Sequence, residues 1–172
     1  MSCDNQVMTE QQKYDVVERI GPVEIRRYHP VVMADVVVNA DYASAGNIGF
    51  GPLVRYISNN NIAMTAPVVQ EPAAGGSWTV SFVMPDGMTL ESMPRPAGSP
   101  VTLRDAPEHI AAVLPFSGYT STAKVAEKEA RLREILADAG IAVNGPVRIA
   151  RFDPPWKPGF LRHNEVLLPV VR

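Results

Sequence analysis

Cations beside flat apolar side chains mark two short stretches of this sequence. In the first, Phe50, Leu53, Val54 and Ile57 recur at helical spacing, which puts Phe50 and Val54 on the apolar side of a helix and Arg55 at its edge. In the second, Asp153-Pro154-Pro155-Trp156-Lys157-Pro158-Gly159 sets Trp156 next to Lys157 on a backbone already stiffened by prolines. An apolar wall with one or two cations at its rim is the minimal receptor for a flat apolar ligand carrying carboxylates along one edge. The second stretch also has a plainer reading, a rigid turn that packs Trp156 into the core.

No catalytic constellation accompanies these stretches, so an enzyme is not expected. Ser117-Gly118 lacks the flanking glycines of a nucleophile elbow. His29, His109 and His163 show no metal-ligand spacing of the His-x-x-x-His kind. His29 precedes Pro30 and reads as a surface histidine beside a turn, His109 as a solvated strand lead-in, and His163 as a charged surface residue. Cys3 is the single cysteine, which excludes an internal disulfide and a cysteine metal cluster.

Composition narrows the class further. The 172 residues fit one domain, with 46% hydrophobic and 20% charged residues and a formal charge of −2. Arg26-Arg27 is the longest basic run, too little for a phosphate-binding face, so nucleic acid is not an expected partner. The polar N-terminus shows no secretion segment, and no stretch approaches the ~20 apolar residues of a membrane span. The chain therefore reads as a cytoplasmic monomer, with a frayed tail over residues 1–12 and one domain over 13–172.

The elements that must position the two stretches follow from periodicity and punctuation. Strands are expected at 14–20 and 23–28 around Gly21-Pro22, at 31–38, and at 61–70 and 77–84 around a Gly-rich turn. A helix within 41–58 should be entered near Pro52, because Gly46, Gly49 and Gly51 make its first half irregular. After a proline-rich seam at 93–100 come strands at 101–104 and 110–116, a long helix at 121–139 ended by Gly140, and strands at 147–152 and 164–171. The order strand-helix-strand-strand thus occurs twice, which predicts two similar halves packed together.

Two motifs carry a resemblance. Asp153-Pro154-Pro155-Trp156-x-Pro158, followed by Arg162-x-Asn164-Glu165-Val166, resembles the C-terminal signature of the SOUL family of haem-binding proteins. Upstream, Asn61-Ile62-Ala63-Met64-Thr65-Ala66-Pro67-Val68 is similar to that family's Lys-Ile-Ala-Met-Thr-Ala-Pro-Val, and Phe116-Ser117-Gly118 stands in order between the two. The likeness spans residues 14–171. It implies an α+β fold, an antiparallel twisted sheet or open β-barrel flanked by two helices. It also implies non-covalent binding of haem or a related porphyrin through apolar contact and propionate pairing. Basic residues that the family places on the first helix and in the Asp-Pro-Pro loop fall on Arg55 and Lys157. A further basic place falls on Asn47, which implies weaker binding. The family's axial-histidine place falls on Arg27; period two puts His29 on the same face, making His29 the candidate substitute. The sequence also departs from the family at Asn59-Asn60-Asn61, where a longer loop with paired glycines is usual.

A soluble haem- or tetrapyrrole-binding protein is the first reading, with Phe50, Val54, Arg55, Trp156, Lys157 and His29 as candidate contacts. The second is a carrier or sensor for other amphipathic small molecules, since bacterial effector-binding domains share a similar duplicated architecture.

Overall fold

Apolar residues recur along the strands of this chain, and Arg26, Asp35, Ser81 and Glu165 on the alternate face are also buried, so both faces of the sheet must be covered or curled inward there. The computed structural model describes residues 9–154 and 156–172, so Cys3, most of the expected tail and Pro155 lie outside the described residues. Residues 9–12, expected to fray, are held in place: Gln11 bridges Ala66, and the Glu10 carbonyl accepts from Ala66 N.

The strands are β1 (Tyr14–Ile20), β2 (Val23–Tyr28), β3 (Val31–Val38), β4 (Val68–Pro72), β5 (Trp78–Val83), β6 (Thr102–Ala106), β7 (His109–Ser117), β8 (Arg148–Arg151) and β9 (His163–Pro169). Helix α1 (Tyr42–Asn59) follows β3, and α2 (Thr122–Asp138) follows β7. All strands join one antiparallel sheet in the order β1-β2-β7-β9-β8-β4-β5-β3-β6, curled into a half-barrel. The two expected strand-helix-strand-strand halves are present as β3-α1-β4-β5 and β7-α2-β8-β9. In the sheet they mirror one another, β7-β9-β8 against β4-β5-β3, and meet where Val68, Val69 and Gln70 of β4 pair with Arg151, Ala150 and Ile149 of β8.

Period two then sorts the side chains. Ile25, Ala112, Leu114, Ile149, Val166 and Leu168 face α2, and Val32, Ala34, Val36, Val80 and Phe82 face α1. The residues between them, among them Arg26, Tyr28, Glu71, Arg104, Arg148 and Glu165, line the concave face.

Helix α1 is regular from Tyr42 onward and contains Pro52, so the expected late entry at Pro52 is corrected. Asp41 caps it, accepting from Ser44 N at 2.9 Å. The glycines read as breakers are contact residues: a Cβ on Gly49 would lie 2.8 Å from Val80 Cβ and Cγ2, so glycine lets the helix settle onto β5. The expected strand at 61–70 shrinks to one beginning at Val68. Pro67 has no N–H for a ladder, and Asn61 has φ of 53°, a turn conformation.

Candidate functional site

Where β8 ends, the chain turns over the N-terminal ends of both helices and leaves a cleft of about 350 Å³. Its α1 side is formed by Tyr42, Gly46, Asn47 and Phe50, its α2 side by Thr120, Ser121 and Thr122, and its outer rim by Asp153 and Arg162. Arg151 forms the floor. Alternation along β8 places it on the helix-facing side, after Ile149. Its Nη2 donates to Tyr42 Oη at 3.0 Å and Gln70 Oε1 at 2.9 Å, and its Nε donates to Thr120 Oγ1 at 3.0 Å. Gly46 leaves room for it, since a Cβ there would stand 2.9 Å from Arg151 Nη1.

Every hydrogen-bond partner of Arg151 is neutral. The cleft's carboxylate, Asp153, is engaged elsewhere, accepting from Lys157 Nζ at 2.7 Å and from the backbone N–H of His163. Burial pushes the Asp153 carboxyl upward, but these two donors outweigh it and hold the group below the usual carboxylate range. The cleft therefore contains a positive charge fixed in position and not neutralised by an ion pair among the described residues. Ser121 caps α2, accepting from Lys124 N, and brings the positive end of the helix dipole to the same cleft.

The 153–162 segment forms the outer wall. Arg162 lies over the Tyr119 ring at 4.9 Å and donates from Nε to the Lys157 carbonyl. Gly159 packs beneath the same ring, where a Cβ would come within 2.6 Å of Tyr119 Cε2. Trp156 is 84% exposed and Phe160 78% exposed, and Tyr119, Leu161, Ile48 and Phe50 also show large apolar surface. The expectation that Trp156 packs into the core is thus corrected, because the loop projects beyond the layer that α1 and α2 bury against the sheet.

The other candidates are dispersed. Phe50 lines the cleft and meets Phe82 edge-on at 5.5 Å. Val54, one turn further on, packs into the core beneath α1. Arg55 faces a separate groove with Arg95 and Pro100. Lys157 sits on the rim loop in its pair with Asp153. His29 pairs with Asp15 at 2.8 Å beside another small pocket, with Val31 and Asp86. Arg162, a residue of the C-terminal signature, lines the cleft. Sequence reasoning missed Arg151; the available signal was a cation at the third place of the inward-facing series Val147, Ile149, Arg151.

A second recess, of about 260 Å³, lies on the concave face. At one wall Arg26 forms a bidentate pair with Glu165 (2.8 and 2.9 Å) and also donates to Glu24 and Tyr28. His163 completes this network at 3.0 Å from Glu165, while its ring remains half exposed. His109 is not the solvated residue expected: it stacks on Tyr28 at 5.3 Å, and its Nε2 is buried without a partner. Among the described residues, no group of three or more His, Cys, Asp or Glu is placed to hold a metal ion.

Two βαββ halves sharing one curled sheet, with a recess on each face, define an α+β half-barrel domain. The chain belongs to the SOUL family: the family model described as SOUL heme-binding protein matches residues 9–169. No curated protein matches it. Among solved structures the chain is similar to the EcmrR C-terminal domain, with TM-score 0.66, 11% identity, and coverage of 92% of this chain and 98% of that one. It is also similar to a hydrolase from Listeria innocua, with TM-score 0.61, 13% identity, and 90% and 94% coverage. A third likeness is to SAV2435 bound to tetraphenylphosphonium, with TM-score 0.52, 9% identity, and 92% and 94% coverage. At these identities the likeness is one of fold.

Proposed function

We propose that this chain is a non-enzymatic tetrapyrrole-binding protein that holds haem or a related porphyrin non-covalently in the cleft between α1, α2 and the 153–162 segment. The observation that carries the reading is Arg151, a cation on the cleft floor whose partners are all neutral. One porphyrin propionate pairs with Arg151, and Arg162 at the rim serves the second. The macrocycle lies against Phe50 and under the exposed rings of Trp156 and Phe160. Lys157 contributes at the rim in exchange with Asp153. Arg55, Val54 and His29 make no direct contact in this reading, and no axial histidine is required. Two of the cleft's hydroxyls have structural roles, Thr120 accepting from Arg151 and Ser121 capping α2, which supports binding without turnover.

Haemin should produce a saturable Soret shift, and metal-free protoporphyrin should compete for it. A charge-assisted contact is worth about 1.5 to 3 kcal/mol, so Arg151→Met should weaken haemin roughly 10- to 100-fold. The loss should shrink for the dimethyl ester, which presents no charge. An equal loss for acid and ester, in a variant with wild-type melting, would remove Arg151 from propionate recognition. Absence of a Soret shift in the wild type would sink the reading as a whole.

A further inference from the structure

The concave recess holds a guanidinium to which the fold gives no hydrogen-bond partner among the described residues. Arg148 lines this recess, and its Nε and Nη2 are sealed from solvent without any hydrogen-bond partner. Among the described residues it enters no ion pair. An unpaired charge held away from water is costly, and folded chains normally pair it or leave it solvated. On the same face Arg26 shows the usual solution, a bidentate carboxylate and two further acceptors.

The neighbouring charges do not fill the gap. Arg104 is bound to Asp35, and Glu165 to Arg26 and His163. Glu71 also lines the recess and its charge acts on Arg148, but no hydrogen bond or ion pair joins the two among the described residues. His109 is held towards its neutral form, first by burial and then by the Arg148 charge. A partnerless guanidinium at the wall of a recess matches one chemical group best, a carboxylate received through its N–H groups.

The rest of the wall sets what the carboxylate is attached to. Tyr28, His109, Phe152 and Leu167, with Pro107 and Pro146, present flat apolar faces. The volume of about 260 Å³ is less than twice the roughly 150 Å³ of a cavity known to hold one benzene ring. It accommodates one or two fused rings.

We propose that the concave recess is a second binding site, taking a small aromatic monocarboxylate whose carboxylate meets Arg148 and whose ring lies against Tyr28, His109 and Phe152. This site is independent of the helix-side cleft, sharing no lining residue with it.

Calorimetric titration of the full chain with 2-naphthoate tests it, with 2-naphthamide and tetraphenylphosphonium as neutral and cationic comparisons. The expected result is one saturable naphthoate site per chain, at least tenfold weaker in Arg148→Met and tenfold weaker for the amide, and not displaced by saturating haemin. Arg148→Met should melt at or above the wild type, because it removes a buried charge that has no partner. Arg148→Lys, which keeps the charge but loses the fork, should lose most of the affinity and serves as the second variant. No naphthoate binding, equal binding of acid and amide, or preference for the cation overturns the proposal. Displacement by haemin does the same, and would assign naphthoate to the helix-side cleft.

Discussion

The two faces of the sheet are built by different rules from one set of strands. On the helix side the inward positions are apolar, and the polar groups among them, Gln70, Asn164 and Arg151, are satisfied without a carboxylate, by one another, by Tyr42 and Thr120 and by backbone carbonyls. On the concave side ionised groups recur at the alternate positions of the same strands: Glu24 and Arg26 on β2, Glu71 on β4, Arg104 on β6, Arg148 on β8, Glu165 on β9. A helix is the better cover for a surface that can be dried completely. A concavity without a covering helix can keep charge, provided that each group finds a partner or a ligand. Arg26 and Arg148 are the two outcomes of that condition within a single recess.

The contrast breaks most visibly at Arg26. Replacing it by Met leaves Glu165 buried with His163 as its remaining side-chain hydrogen-bond partner among the described residues, and breaking such a pair costs about 3 to 5 kcal/mol. Urea unfolding should show that loss for Arg26→Met beside little or none for Arg148→Met. Equal losses would erase the distinction between the paired and the vacant guanidinium.

The helix side is sharpened by a smaller change. Gly49→Ala pushes a methyl group to within 2.8 Å of Val80 and should cost about 1 to 3 kcal/mol through overpacking, read as a lower thermal midpoint. Indifference to this methyl group would show that α1 rides more loosely on the sheet than its contacts indicate.

The smallest effect is one of slope with pH. Burial raises the Glu165 carboxyl, but the His163 and Arg26 hydrogen bonds outweigh it and depress the group in the folded state. Its contribution to stability is therefore complete above the unfolded carboxylate value of about 4.3 and is lost as pH falls through the depressed value. Glu71 is shifted upward and has the opposite sign, so its ionisation disfavours the folded state as pH rises. Across an acid-to-neutral series of unfolding curves, Glu165→Gln should flatten the gain in stability with rising pH and Glu71→Gln should steepen it. The reverse pattern would exchange their roles.

Much of this architecture was legible in the sequence. The repeated strand-helix-strand-strand order, α2 with its glycine stop, and the β1–β2 corner at Gly21 all follow from local periodicity and turn chemistry. What was hidden depends on a residue's partner. Gly49 reads as a helix breaker until Val80 is beneath it, and Trp156 reads as core until its loop is seen to overshoot the helices. The candidate cleft was legible in position, between α1 and the Asp-Pro-Pro loop, and less so in its cations. Arg151 and Arg148 lie on one short strand and face opposite sides, and no local pattern says that both are held away from bulk water. Lys157 reads in sequence as a free cation, and its pair with Asp153 becomes legible only once that turn is known to close.

The β4–β8 ladder joins the two halves through three register pairs, fewer than any other ladder among the described residues. Its residues serve both recesses: Gln70 and Arg151 meet at the helix-side cleft, while Glu71 and Arg148 face the concave one. A sheet opens most readily where few bonds hold it, so this junction is the natural place for slow breathing of the backbone and for early exchange of amide protons. Any guest that spreads or tightens the junction from one side changes the shape offered on the other. Linkage requires any such effect to run equally in both directions, with Val69 and Ala150 at the centre of the ladder that would carry it.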